Sequence, residues 1–369
     1  MDSEGLAPLV FVYRGESFPR YAAKSLALAA KTTPNRLIVL ADVERPRGVA
    51  KSLRWEKIAD FYDSTKFAAF ATNSTLDARF RNGFWLHAAE RFFILEQFAT
   101  HDRLLRFFHG ELDCLFFDLD NVERSIGESK LDGMFLPRET RNCVVASLVY
   151  VNNHTSLAQA CNTLLDNVSL GNEMDILGSL PLGEGSQFHA FPTAEYLFRG
   201  FSSMDGWPVA PQEPTFIIDG AALGRWLFGV DPRNTKTGAS KNLIQNPKNT
   251  LPFEPPMANL RFQMSPNKKW PILVAGESER WLPIVVIHVH SKIHSKIDSR
   301  YITKVVRKAS KGRQHVILRT SSRYLYSLFA KSWRHLIHIV RTPALILQLA
   351  KNITSRKWWA GLGYRLSRN

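Results

Sequence analysis

The sequence predicts an α/β protein, a sheet flanked by helices, with a basic helical extension at the C terminus. Three observations predict it. The chain opens strand, helix, strand. A long helix with an apolar stripe then leads into a short strand that ends in acids. Finally, the positive charge is confined to one end. From Lys292 to Asn369 there are eighteen Lys and Arg against one acid, a charge of +17, which leaves −2 on the rest of a 369-residue chain whose total is +15. A near-neutral body and a strongly basic tail need separate explanations. The expected boundary puts the catalytic body at 1–297 and the tail at 298–369.

The elements follow in order. "PLVFVY" (Pro8–Tyr13) reads as a buried strand, "PRYAAKSLALAAKTT" as an Ala-rich helix, and "NRLIVLAD" (Asn35–Asp42) as a second buried strand. That is a parallel βαβ unit. "GFWLHAAERFFILEQFATH" carries Phe84, Ala88, Phe92, Leu95 and Phe98 at helical spacing and predicts a long amphipathic helix. "RFFHGELDCLFFDLD" (Arg106–Asp120) predicts the next strand, "CVVASLVYV" another, and "SLAQACNTLLDNV" a helix behind it. The stretches from about Phe198 to Pro214 and from Thr235 to Pro256 predict loops. "DGAALGRWLFGVDPRN" resumes order between them, and "WLPIVVIHVHSK" is the last strong strand.

Composition excludes several classes. Hydrophobic residues make up 45% and charged residues 22%, the balance of a protein with a sizeable core. Three cysteines, Cys114, Cys143 and Cys161, are too few and wrongly spaced for a disulfide framework or a zinc site. They read as buried thiols in a reducing cytosol. The first residues carry acids where a signal peptide needs bases. No segment approaches the ~20 apolar residues that span a bilayer.

Four carboxylates interrupt the strand of Arg106–Asp120. Glu111 and Asp113 follow "RLLRFF" directly, where the strand would emerge, and ligands bind beyond the carboxyl ends of such strands. Residues two apart on an extended chain point the same way. Two carboxylates held together repel each other unless a divalent cation neutralises them. Asp118 and Asp120 precede Asn121 and read instead as a turn and a helix cap. By itself E-x-D is equally compatible with a solvated turn.

Taken together, these blocks resemble a GT-A-fold glycosyltransferase, an enzyme that uses a nucleotide-diphosphate sugar. "HGELD" (His109–Asp113), "IDGAALG" with "DPRN" (Ile218–Gly224, Asp231–Asn234) and "HVHSK" (His288–Lys292) are similar, in order and spacing, to blocks shared by a set of bacterial transferases. The similarity covers roughly Val10 to Lys292. Glu111 stands where that pattern has Asp, Ile218 where it has an aromatic residue, and "GRWLFG" where it has G-Q-Y-L-G-G.

The resemblance implies a GT-A-like, Rossmann-type mixed sheet and a set of roles. Asp113 and His290 would ligate Mn²⁺ or Mg²⁺. Glu111 would hold the donor ribose or a metal-bound water, and Lys292 the diphosphate. Asp42, ending the second strand, and Tyr13 and Arg14, leaving the first, would hold the nucleoside. Arg91 would reach the diphosphate or, equally, face solvent. Asp219 and Asp231 are the candidate catalytic carboxylates, Asp219 also reading as a loop cap entering a helix and Asp231 as a turn acid before Pro232. Glu173 and Asp175 are weaker candidates. His288 and His290 alternate on one strand face. The donor would be a UDP-sugar and the acceptor a glycan or a lipid-linked sugar.

In the tail, Tyr324–Ala350 reads as an amphipathic helix pair, and "RKWWAGLGYRLSR" mixes tryptophans with bases. An apolar face, interfacial Trp and many Lys and Arg suit the surface of an anionic membrane. The expectation is a cytoplasmic protein held peripherally at the inner face of the membrane. A helical appendage packed on the body is the plain alternative. Nucleic acid is disfavoured, because no stacking platform accompanies the charge. The competing functions are a nucleotidyltransferase and a non-catalytic basic binding protein. A nucleotidyltransferase would usually carry a Gly-rich phosphate loop after the first strand, and "YRGESFPRY" is not one.

Overall fold

A computed structural model describes residues 5–310, apart from 81, 141, 182–184, 195–196, 198–213, 229–259, 267–271, 277–279, 290–296 and 298. The chain divides into two compact units, Met1–Ile317 and Leu318–Asn369. The expected tail helices beyond 310 and the loop of 235–256 lie outside the described residues, as does nearly all of the 198–214 loop.

The predicted βαβ start is present. Strand β1 (Leu9–Tyr13) pairs in parallel with β2 (Leu37–Ala41), and helix α1 (Arg20–Thr32) connects them. β2 pairs in parallel with β3 (Arg54–Lys57). Helix α2 (Thr65–Asn73) and the long α3 (Phe84–His101) lead to β4 (Phe107–Gly110), which returns to the other side of β1. The strand order is therefore 3-2-1-4, and the winding reverses between β1 and β4. At such a switch point, crossovers lie on opposite faces and leave a crevice outside the carboxyl ends of the strands.

Alternation along β1 and β2 shows the two faces. Val10, Ile38 and Leu40 enter one core with Phe92, Leu95 and Phe98 of α3. Leu9, Phe11, Leu37, Val39 and Ala41 enter another with Ala22, Leu26 and Ala29 of α1. The period of two in the strands and of about 3.6 in the helices generates both cores.

Beyond β4 come β5 (Cys114–Phe116), α4 (Leu119–Ser129), β6 (Met134–Thr140), β7 (Cys143–Val144), β8 (Leu148–Val151), α5 (His154–Asp166), α6 (Glu173–Gly178) and β9 (Phe188–Phe191). β8 pairs antiparallel with β4 and with β6, and β9 lies parallel to β6, which makes the sheet mixed. The single strand expected over "CVVASLVYV" is in fact two. The chain turns at Val145–Ser147, where the Val145 N–H donates to the Pro137 carbonyl and the Ser147 hydroxyl donates to the Asp219 carbonyl at 2.6 Å.

A second sheet contains β10 (Ile217–Ile218), β11 (Arg261–Met264), β12 (Ile272–Ala275) and β13 (Leu282–His288), with β5 also paired to β13. Helices α7 (Ala222–Phe228) and α8 (Ser299–Ala309) cover it. Ile302, Val305, Val306 and Ala309 of α8 are buried in one cluster with Val274, Ile284 and Ile287. The sequence places this helix in the tail; here it contributes to the core of the first unit. Among the described residues, no helix is long and apolar enough to cross a membrane.

Candidate active site

The two pairs of acids that compete in the sequence have different surroundings. Asp118 caps α4, accepting from the Asn121 N–H, and Asp120 pairs with Arg36, just before the start of β2. Glu111 and Asp113 leave the carboxyl end of β4, on the edge that carries the crevice. Gly110 before them is required by packing, because a Cβ there would overlap the ring of Phe116.

β5 pairs antiparallel with β13, setting Cys114 opposite His288. This register brings the His288 Nε2 to 2.9 Å from Asp113 Oδ2 and 3.7 Å from Glu111 Oε2. The other ring nitrogen, Nδ1, faces the Gly220 carbonyl at 2.8 Å. A carbonyl only accepts, so Nδ1 is the donor to Gly220, and Nε2 is the nitrogen turned toward the two carboxylates. The His288 backbone N–H donates to Asp219 Oδ2 at 3.0 Å. Thus "HGELD", "DGAALG" and "HVHSK" meet at one histidine.

The second block has a supporting part. Asp219 is fully buried, and its carboxylate accepts from the Leu223 and Gly224 N–H groups at 2.9 and 2.7 Å as well as from His288. Its oxygens are occupied by backbone donors, so in this structure it joins the start of α7 to the end of β13. Glu139, also buried, accepts from the Ala221 N–H at 2.9 Å. Burial raises both carboxyls above their ordinary range, and the charge of Glu139 adds to the rise at Asp219. The small residues of the block now have a reason. A Cβ at Gly220 would overlap the Glu139 carboxylate, and one at Gly224 would overlap the His288 carbonyl.

Arg91 does not face solvent. It is 8% exposed and bridges two carboxylates, pairing with Glu111 and, at 3.3 Å, with Glu173. Burial pushes the Glu173 carboxyl up to about 7, with Arg91 pulling it down and Glu111 adding to the rise. The neighbouring Glu90 turns the other way. Its Oε2 lies 3.4 Å from Arg14 Nε and 3.1 Å from His87 Nδ1. Arg14 is also 3.0 Å from Asp42, which in turn accepts weakly from the Gly15 N–H at 3.4 Å. Tyr13, Arg14 and Asp42 are therefore together at the ends of β1 and β2. Burial raises the Tyr13 phenol.

His109, first residue of its block, is buried, and Nδ1 lies 3.0 Å from the Val10 carbonyl. Burial lowers it to about 3, so it stays neutral and ties β4 to β1. Asp231, His290 and Lys292 lie outside the described residues. The sequence passes over His288 in favour of its neighbour and gives Glu90 no role. A signal for Glu90 is there: an acid and a base stand adjacent in an otherwise apolar helical run, "AAERFFIL".

The donor set can be tested against a cation. Glu111, Cys114 and His288 present ligand atoms within 4.8 Å of one another. Asp113 is outside that group yet has the shortest contact to His288. Burial pushes the Cys114 thiol well above its ordinary range, so it stays protonated and is a poor ligand for a hard ion. Two carboxylates and an imidazole whose far nitrogen is fixed by a carbonyl fit a divalent cation of the Mn²⁺ or Mg²⁺ kind.

No family model and no curated protein sequence matches the chain. Solved structures do. Mouse xyloside xylosyltransferase 1, in its apo form, is 10% identical and aligns over 52% of this chain and 87% of its own, with a TM-score of 0.34. The galactosyltransferase LgtC, in complex with donor and acceptor sugar analogues, is 11% identical over 85% of this chain and 98% of its own, with a TM-score of 0.37. The bifunctional glycosyltransferase WbbM, apo, is 12% identical over 55% of this chain and 42% of its own, with a TM-score of 0.33.

Proposed function

We propose that this chain is a glycosyltransferase, which moves a sugar from a nucleotide-diphosphate donor, foremost a UDP-sugar, to a glycan or lipid-linked acceptor. The observation that carries this reading is the meeting of Asp113, Glu111, Asp219 and Gly220 at His288, at the switch point of a mixed sheet. Asp113 and His288 would hold a divalent cation, with Glu111 beside them and His290 as the next candidate ligand. Bound there, a cation supplies positive charge to a diphosphate leaving group.

The chain's own residues do the rest. Arg91 holds Glu111 in place and offsets its charge. Asp219 and Gly220 fix the orientation of His288. Tyr13, Arg14 and Asp42 bind the nucleoside, and Lys292 contacts the diphosphate. Asp231 is the remaining candidate for a catalytic carboxylate. The basic tail places the enzyme on the cytoplasmic face of the membrane, a reading supported by its charge and its interfacial tryptophans.

Calorimetry of the full chain with UDP, with and without Mn²⁺, tests the proposal. Binding that depends on Mn²⁺ and on Asp113 supports it. No nucleotide binding under either condition sinks it.

A further inference from the structure

Helix α3 carries one stripe whose burial changes steadily. Phe98 and Leu95 are each 1% exposed, Arg91 8%, Ala88 is half-buried, and Phe84 is 43% exposed. Residues at such spacing share a helix face. The face that packs on the sheet at its deep end and supplies Arg91 to the acid cluster therefore emerges at Phe84. Seven residues along a helix is a rise of about 10 Å. Phe84 is the one aromatic among the exposed large apolar side chains of the described residues.

It does not stand alone. The Phe84 ring lies edge-on to Trp85, centroids 4.9 Å apart, and Trp85 stacks on Phe80 at 6.3 Å with an interplanar angle of 11°. Gly83 begins the helix in the left-handed region, at φ 80°, a turn that favours glycine and brings these rings together. Around the rings the surface is polar. Asp77, Arg79 and Asn82 are exposed, and the His87 side chain is 38% exposed. A hydrocarbon chain would need a continuous apolar groove. An aromatic platform ringed by hydrogen-bonding groups suits a pyranose instead, whose C–H face packs on a ring while its hydroxyls meet polar partners.

We infer that Phe84, backed by Trp85 and Phe80, is a stacking platform for a pyranose ring of the acceptor. This rests on the glycosyltransferase reading, and it puts the acceptor at the N-terminal end of α3, where Glu90 lies between His87 and the nucleoside residue Arg14. His87, hydrogen-bonded to Glu90, stands between platform and site to meet a sugar hydroxyl.

Saturation-transfer NMR on the full chain tests it. The probes are methyl β-D-glucopyranoside, methyl β-D-galactopyranoside and methyl α-D-mannopyranoside, in the presence of UDP and Mn²⁺. At least one glycoside should receive saturation on its C–H face. That signal should fall about fivefold in Phe84→Ala, the size of a ring contact of about 1 kcal/mol. Phe84→Tyr should keep it, and the UDP signal, which reports an intact fold, should be the same in all three proteins. The platform is overturned if UDP binds but none of the glycosides does, or if Phe84→Ala binds them as the parent does. Should glycosides bind through Phe84 while UDP gives no signal, the platform stands and the nucleotide-donor reading falls.

Discussion

His288 Nε2 lies 2.9 Å from Asp113 Oδ2, although the two residues stand 175 positions apart. The contact is made by an antiparallel pairing, β5 on β13, that ends at the two residues' immediate neighbourhood. Three further groups fix the histidine: Asp219 on its N–H, Gly220 on Nδ1, and Glu111 near Nε2. The ring is oriented by the fold before any ligand arrives, which is the usual arrangement of an imidazole that ligates a metal.

The first prediction concerns this pair. His288→Ala and Asp113→Asn should each weaken Mn²⁺-dependent UDP binding about tenfold, or about 1.4 kcal/mol. Asp120→Ala should leave it unchanged, because Asp120 pairs with Arg36 at the amino end of β2. Calorimetry reads all three. Loss in the Asp120 variant with retention in the Asp113 variant would reverse the site assignment. His290→Ala, measured beside His288→Ala, decides which histidine matters more.

A second prediction separates two kinds of glycine. At Gly224 an added methyl meets the His288 carbonyl and the Asp219 carboxylate, which are held in place by each other. Gly224→Ala should cost about 2 kcal/mol or more, since the neighbours cannot yield without breaking the site. Gly127, inside α4, has nothing within 4 Å of the point where an added methyl would sit. Gly127→Ala should therefore stabilise by about 0.5–1 kcal/mol through helix propensity. Urea melts give both signs, and a stabilising Gly224→Ala would show that the helix packs less closely than described.

Much of this is legible in the sequence, and for a physical reason. β1, β2, α1 and α3 are encoded by local periodicity, which needs no knowledge of what they pack against. The choice of Glu111 and Asp113 over Asp118 and Asp120 is also local, since it follows from where the strand ends. The partners of these residues are not legible. Whether His288 or its neighbour turns toward Asp113 depends on the register of β13 on β5, a long-range fact. Likewise, Arg91 looks the same in sequence whether it meets solvent or two buried carboxylates. Glu173 gives only a faint signal because its partner is 82 positions away.

A third prediction concerns the basic end. With ten bases and no acid from Leu318 onward, the full chain should sediment with vesicles containing anionic lipid. Each base near such a surface contributes about 1 kcal/mol, and salt should weaken the binding. A chain ending at Ile317, the limit of the first compact unit, should stay in the supernatant while keeping Mn²⁺-dependent UDP binding. If both forms fail to sediment, the membrane reading is lost.

The last prediction follows from Glu173. Its carboxyl is buried beside Arg91 and Glu111, and its pKa rises from the ordinary 4.5 to about 7 on folding. A raised acid binds its proton more tightly in the folded state, so between these two values the native chain holds more protons than the unfolded one. Stability must then fall as pH rises. The contribution is fully present below about pH 4.5, declines through the interval, and is gone above about pH 7. Glu173→Gln removes this titration while keeping the side chain's size. The difference in unfolding free energy, parent minus variant, should therefore decrease as pH is raised from about 5 to about 8. Arg91 works against this trend, because the ionised Glu173 gains an ion pair at 3.3 Å, yet burial is the largest influence and sets the sign. Urea denaturation of both proteins across that range gives the difference directly. A difference that stays level or increases with pH would mean that Arg91 keeps Glu173 ionised throughout, and that the pair with Arg91 outweighs the cost of burial.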